Sequence, residues 1–198
     1  MAKSVIKTFV VFLFLSLVFQ LLLGTETLGN QKIFTPEDTK VLGVKLDMDK
    51  NEAVKILGRP RRIKSVYEGA FGADVLYYYY QFGYIRLEPL DDDKYTISLI
   101  EINKPHYKGP RNTEVGFHVE QVLNKFPYNK KNEIKENEKE LYNVGGKYEN
   151  YGFITYDDKG RVEEITYCYG GEGFGGYTLS YQIKNDKVVE IIISVMNV

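Results

Sequence analysis

Between Gly176 and Val195 the chain keeps a strict two-residue rhythm that few folds can accommodate. Tyr177, Leu179, Tyr181 and Ile183 fall on one side of an extended backbone, while Thr178, Ser180, Gln182 and Lys184 fall on the other. A β-strand sorts side chains this way, because successive residues point to opposite faces. Asn185-Asp186 then breaks the rhythm. Both residue types tolerate a left-handed backbone, so the pair suits a tight hairpin. Val189, Ile191, Ile193 and Val195 resume the apolar series, and Ile165, Tyr167 and Tyr169 extend it from the preceding segment. The expected product is an antiparallel sheet with one wet face and one face covered by a helix.

Similar signals run through the rest of the chain. Residues 62–68, 74–82, 84–88 and 95–102 are rich in β-branched and aromatic types, as are 148–156, 161–169, 176–184 and 187–195. Helix signals precede each group. Thr35-Pro36-Glu37-Asp38 combines a cap, a first-turn proline and acids at the positive end of the helix dipole. Asp49 and Glu52 form a capping pattern ahead of Ala53-Val54-Lys55-Ile56-Leu57, and Gly58-Arg59-Pro60 stops that helix. Gly116 to Pro127 reads as a second short amphipathic helix, and the charged stretch 129–140 as a loop leading into the next strand. Residues 105–112, with Pro105, Gly109 and Pro110, read as a linker. Helix then meander thus occurs twice, with a period of roughly 70 residues. The expected fold class is α+β, with two similar units at 30–104 and 113–198. Each would pack a short helix, or helix pair, on an antiparallel β-meander.

The segment 74–82 does not fit a sheet with one wet face. Leu76, Tyr78 and Tyr80 share one side and Val75, Tyr77 and Tyr79 the other, so both sides need a partner. One side should meet the unit's own helix, and the other should meet the second unit or an external ligand. Tyr77 and Tyr79 are therefore candidate contact residues. Phe174 is a third, as a candidate anchor on the glycine-rich loop Gly170-Gly171-Glu172-Gly173-Phe174-Gly175-Gly176.

The amino terminus has the build of an export signal. Lys3 and Lys7 lead into an apolar stretch from Phe9 to Gly24, and Thr25, Thr27 and Gly29 follow at cleavage-compatible spacing. A membrane span prefers ~20 residues, but a helix of ~17 can cross. Residues 1–29 are thus expected as a cleaved signal peptide or as an uncleaved amino-terminal anchor, and the remainder as extracytoplasmic. Cys168 is the single cysteine, so no intramolecular disulfide can form and the fold must rely on its core.

Charge and composition narrow the partners. Lys and Arg total 26 against 27 Asp and Glu, a formal net charge of −1. That balance argues against nucleic-acid binding and gives no reason for anionic-lipid binding, leaving the leader as the membrane contact. The 17 tyrosines, with no tryptophan, suit a β-rich core and rim or a recognition face.

Chemical motifs were weighed against structural readings. Asp47, Asp49 and Asn51 mimic the start of a calcium loop, but Glu52 and Gly58 stand where the loop needs glycine and glutamate, so capping accounts for them. Asp91-Asp92-Asp93 reads as an exposed turn. The glycine-rich loop joins two strands and brings no lysine, unlike a phosphate loop. A nucleophilic Cys168 would need a histidine or another cation, and nothing places His106 or His118 beside it. No catalytic residue, metal site or cofactor is expected.

Two segments carry a family likeness: Leu46-Asp47-Met48-Asp49-Lys50-Asn51-Glu52-Ala53-Val54-Lys55-Ile56-Leu57-Gly58-Arg59-Pro60 and Val115-Gly116-Phe117-His118-Val119-Glu120-Gln121-Val122-Leu123. Each resembles the opening of the SmpA/OmlA small-lipoprotein domain, roughly G-M-T-x-x-x-V-x-x-x-L-G-x-P before a sheet. The tandem order looks like the β-lactamase-inhibitor-protein fold. The resemblance implies a non-catalytic extracytoplasmic module that presents its sheet to another protein. Two alternatives stand beside it: an exported hydrolase acting on cell-wall or other carbohydrate, and a structural domain tethered by an uncleaved leader.

Overall fold

The structure is a computed structural model that describes residues 32–91, 94–128, 132–144, 150–170 and 175–196. The leader, Asp92-Asp93 and Phe174 lie outside the described residues. Lys32–Val198 forms one compact unit. Its first meander comprises β1 (Arg62–Glu68), β2 (Ala73–Tyr79), β3 (Gly83–Asp91) and β4 (Lys94–Ile102). The second comprises β5 (Ile134–Lys135), β6 (Glu138–Val144), β7 (Asn150–Tyr156), β8 (Val162–Gly170), β9 (Gly176–Lys184) and β10 (Lys187–Met196). Helix α1 (Lys50–Leu57) precedes the first meander and α2 (Val119–Leu123) the second, with single 3-10 turns at Pro36–Thr39 and Pro110–Asn112.

The expected α+β pair of units is overturned. β4 pairs antiparallel with β10, matching Ile102 to Ile191 and Ile100 to Ile193. The strand order is β1-β2-β3-β4-β10-β9-β8-β7-β6-β5, so the two meanders form one ten-stranded antiparallel sheet in a largely β fold. The cause lies in the last strand of each meander. β4 and β10 each present an unpaired backbone edge beside an apolar row, and joining them satisfies both edges and merges the two cores. One core cluster then runs from Phe34 and Val44 through Ile85, Ile100, Ile191 and Tyr181 to Leu141. The helices are too short to form layers of their own, and α1 buries Ala53 while Ile56 stays 45% exposed.

Both helices are pegged to the sheet in the same manner. The Ile97 N–H donates to the Met48 carbonyl just before α1, and the Val188 N–H donates to the Phe117 carbonyl just before α2. Asp49 caps α1 as its pattern indicates, accepting from the Asn51 N–H at 2.7 Å and the Glu52 N–H at 3.2 Å.

The β9–β10 hairpin forms at Asn185-Asp186, both left-handed, at φ 52° and 62°. A bulge between Val188 and Glu190 then shifts the register, so Val188 enters the core and Val189 is 41% exposed, against the alternation expected from Val189 onward. A second hairpin turns at Glu136-Asn137, also left-handed, within the stretch read as a loop. The stretch read as a linker is held fast. All five N–H groups of Arg111 are bonded: Nε to Asp38 Oδ1 at 2.9 Å, Nη1 to the Lys32 and Lys125 carbonyls, and Nη2 to the Ile33 carbonyl and Asp38 Oδ2. Its guanidinium also lies 4.1 Å from the centre of the Phe126 ring.

Candidate functional site: the sheet face opposite the helices

Among the described residues the helices and the segments flanking them pack on one face of the sheet. The other face is built by alternation. In β2, Leu76 and Tyr78 sit opposite Leu87 and Ile85 and pack with the core, and Tyr80, just past the strand, stacks on Phe82 at 5.4 Å. Tyr77 and Tyr79 point the other way, opposite Arg86 and Tyr84. Their rings lie 5.7 and 5.6 Å from that of Tyr84, so three tyrosines make one half-buried aromatic patch. Phe174, the third candidate, lies outside the described residues, so the structure does not place it with the other two.

Charged groups frame the patch. Arg86 bonds Glu68 at 2.7 Å, pairs with Glu88, and lies 5.8 Å from the centre of the Phe71 ring. The Tyr77 hydroxyl reaches Glu68 at 3.4 Å. Toward the middle of the sheet, Glu101 stands between Tyr84 on β3 and Ile192 on β10 and is only 8% exposed. Asn103 Nδ2 donates to it at 2.7 Å, and burial together with the neighbouring Glu101 carboxylate pushes the Tyr84 hydroxyl up. Glu190, opposite Gln182, is in hydrogen-bonding contact with Glu101. Desolvation pushes the Glu190 carboxyl up to about 7, and its bond to Glu101 and that group's charge add to the shift.

Farther along, Ser194, Thr178 and Ser180 give the face a hydroxyl row, with Thr178–Ser194 at 2.6 Å and Thr166–Ser180 at 2.9 Å. Cys168 sits in this row facing Thr178 and Tyr151, but is 2% exposed. Burial pushes its thiol up, the opposite of what a nucleophile needs. At the far end Tyr151 and Phe153 stack at 6.0 Å and border a groove of about 1080 Å³ edged by Glu133, Glu136, Glu138 and Glu140.

The two histidines stand elsewhere. His118 Nδ1 meets Asp186 at 3.1 Å, tying the start of α2 to the β9–β10 turn, and His106 is exposed on a loop. Asp47 accepts from the Tyr177 hydroxyl at 2.7 Å, while Asp49 is occupied by its cap, so the calcium-like triplet does not converge. No cluster of three potential metal ligands occurs among the described residues. Sequence reading missed the Glu101–Glu190 contact because it depends on the β4–β10 join. The one available signal was that each glutamate interrupts an isoleucine-rich strand.

No protein-family model and no curated protein matches the chain. A solved structure similar to it is that of an extracellular protein containing a SCP domain from Bacillus anthracis str. Ames, at TM-score 0.45 and 15% identity, over 83% of this chain. The match covers 49% of that protein, so the chain spans about half its length, and the likeness is too low to carry a statement of activity.

Proposed function

We propose that this chain is an exported binding module that holds another extracytoplasmic protein on the sheet face that carries no helix among the described residues. The observation that carries the reading is the split at β2, where Tyr78 and, just past the strand, Tyr80 pack partly buried against the core while Tyr77 and Tyr79 join Tyr84 on the far face. Tyrosines held by neighbouring rings offer apolar area and hydroxyls with little rotamer entropy left to lose on binding. Four glutamates against one lysine, Lys135, around Tyr151 and Phe153 favour a partner whose contact segment carries lysine or arginine. Export rests on the apolar leader, whether cleaved or kept as an anchor. The likeness to the small-lipoprotein and β-lactamase-inhibitor-protein folds points to the same use of a sheet.

The Glu101–Glu190 pair favours binding over the hydrolase alternative. Glycosidase carboxyls stand about 5–9.5 Å apart, across the bond they cleave. These two instead touch, with Glu101 almost wholly buried. A photo-crosslinking residue placed at Tyr79, and separately at Lys55 on exposed α1, tests the proposal in the native cell. A discrete protein adduct from position 79 and none from 55 is expected. Adducts from 55 alone, or an equal set from both, would refute the assignment of the contact face.

A further inference from the structure

The sheet ends in two unlike edges. β5 is two residues long and offers almost no backbone to a neighbour. β1 runs for seven residues, is hydrogen-bonded on its β2 side alone, and contains no proline. A free edge of that length is normally shortened, bulged, charged or covered, because its unpaired N–H and C=O groups are a template for another strand. Here the exposed side chains are mixed: Arg62, Lys64 and Ser65 stand beside two large apolar ones, Ile63 at 56% and Tyr67 at 68% exposed, on the same face as Ser65. A half-buried strand inside a sheet would not leave five of seven residues exposed, as β1 does.

The sequence of β1, Arg62-Ile63-Lys64-Ser65-Val66-Tyr67-Glu68, is complementary to itself when reversed. We propose that a second copy of the chain pairs antiparallel with β1, about a two-fold axis at Ser65, so that the sheet continues through a dimer. In that register Ser65 faces the partner's Ser65, Ile63 faces the partner's Tyr67, Lys64 faces the partner's Val66, and Arg62 faces the partner's Glu68, which also bonds Arg86 of its own chain. The symmetry makes each of the last three contacts twice. Aromatic with β-branched and opposite-charge pairs are the cross-strand combinations that stabilise antiparallel strands. An isologous contact needs this kind of self-complementarity. Other registers do worse. Centring on Lys64 sets two lysines face to face, and moving the centre to Val66 leaves Arg62 and Ile63 unpaired at both ends.

Disulfide trapping in the full chain tests the register directly. Residues directly opposite in an antiparallel pair have Cα atoms about 4.5–5.5 Å apart, within the reach of a disulfide. Ser65→Cys should therefore form a disulfide dimer under mild oxidation, and the natural Cys168, 2% exposed, should not compete. Ile63→Cys is the control, because two copies of residue 63 would lie four residues out of register, ~13 Å apart along the strands. Its dimer yield should be at least about tenfold lower. Chains carrying Ile63→Cys mixed with chains carrying Tyr67→Cys should recover the dimer that neither forms alone. No dimer from Ser65→Cys, or equal yields from Ser65→Cys and Ile63→Cys, would overturn the proposal.

Discussion

Replacing Arg111 with alanine should be among the most damaging single changes outside the core. Its guanidinium binds Asp38 through two N–H groups and donates the other three to the carbonyls of Lys32, Ile33 and Lys125. The Arg111 and Asp38 side chains are 19% and 13% exposed. Alanine strands the Asp38 carboxylate and three carbonyls at once, and removes the stack on Phe126. Breaking a buried ion pair by deleting one partner costs about 3–5 kcal/mol. For a body of this size each kcal/mol lowers Tm by about 2–4 °C, so the variant should melt about 6–20 °C lower. Arg111→Lys keeps the charge but brings only three donors and no planar fork, so it should fall in between. Calorimetry on the two variants, with Asp38→Ala and the double mutant closing a cycle, supplies the numbers. Arg111→Ala melting within 2 °C of the parent, or a cycle with no coupling between Arg111 and Asp38, would refute the clamp (thresholds of about 1 kcal/mol).

Two buried tyrosines should respond in opposite senses to loss of the hydroxyl. The Tyr167 hydroxyl is buried with no hydrogen-bond partner among the described residues, so Tyr167→Phe should leave Tm unchanged or raise it. Tyr181 bonds Thr113 at 3.1 Å, so Tyr181→Phe should cost about 1 kcal/mol in denaturant unfolding. Glu190 predicts a pH effect. Its carboxyl is raised in the folded state, to about 7, so its contribution is present below the ordinary carboxylate range and is lost as pH climbs through 7. A scan of Tm from pH 5 to 8 should show a decline that Glu190→Gln flattens, since the facing groups, Glu101, Asn103, Tyr84 and Gln182, carry no cation to hold a second charge. An identical slope in parent and variant would contradict this.

Local periodicity made most of the strands legible. β9 lies where its alternation places it and β1 where its β-branched and aromatic residues do, and the Asn185-Asp186 turn forms as its residue types require. The failures are non-local. Nothing in β4 or β10 alone says that their edges meet, since any two apolar strands with free edges would read the same way. That single pairing turned two α+β units into one sheet. It also brought together Glu101 and Glu190, which are far apart in sequence. The bulge at Val188 was hidden because Val188 and Val189 are chemically identical. Arg111 was overlooked because prolines and a glycine around it suggested a free linker, whereas its five donors can be counted only once their acceptors are in place. The two-sided aromatic pattern of β2 was legible, and the structure sends its two tyrosine pairs to opposite faces.

The most direct test of the account compares two double variants by thermal melting and by crosslinking yield from position 84. Tyr78→Ala with Tyr80→Ala removes two rings partly buried against the core and should together cost about 4 kcal/mol or more, given about 3–5 kcal/mol for each aromatic lost from a fully buried site. Tyr77→Ala with Tyr79→Ala removes rings that meet Tyr84, with the Arg62 guanidinium 5.5 Å from the centre of the Tyr79 ring. This pair should melt within about 4–8 °C of the parent, a loss of ~2 kcal/mol. It should nevertheless lose the adduct formed by a photo-crosslinking residue at Tyr84. Equal destabilisation by the two pairs, or an undiminished adduct in the Tyr77 and Tyr79 variant, would contradict the assignment of the face opposite the helices as the contact surface.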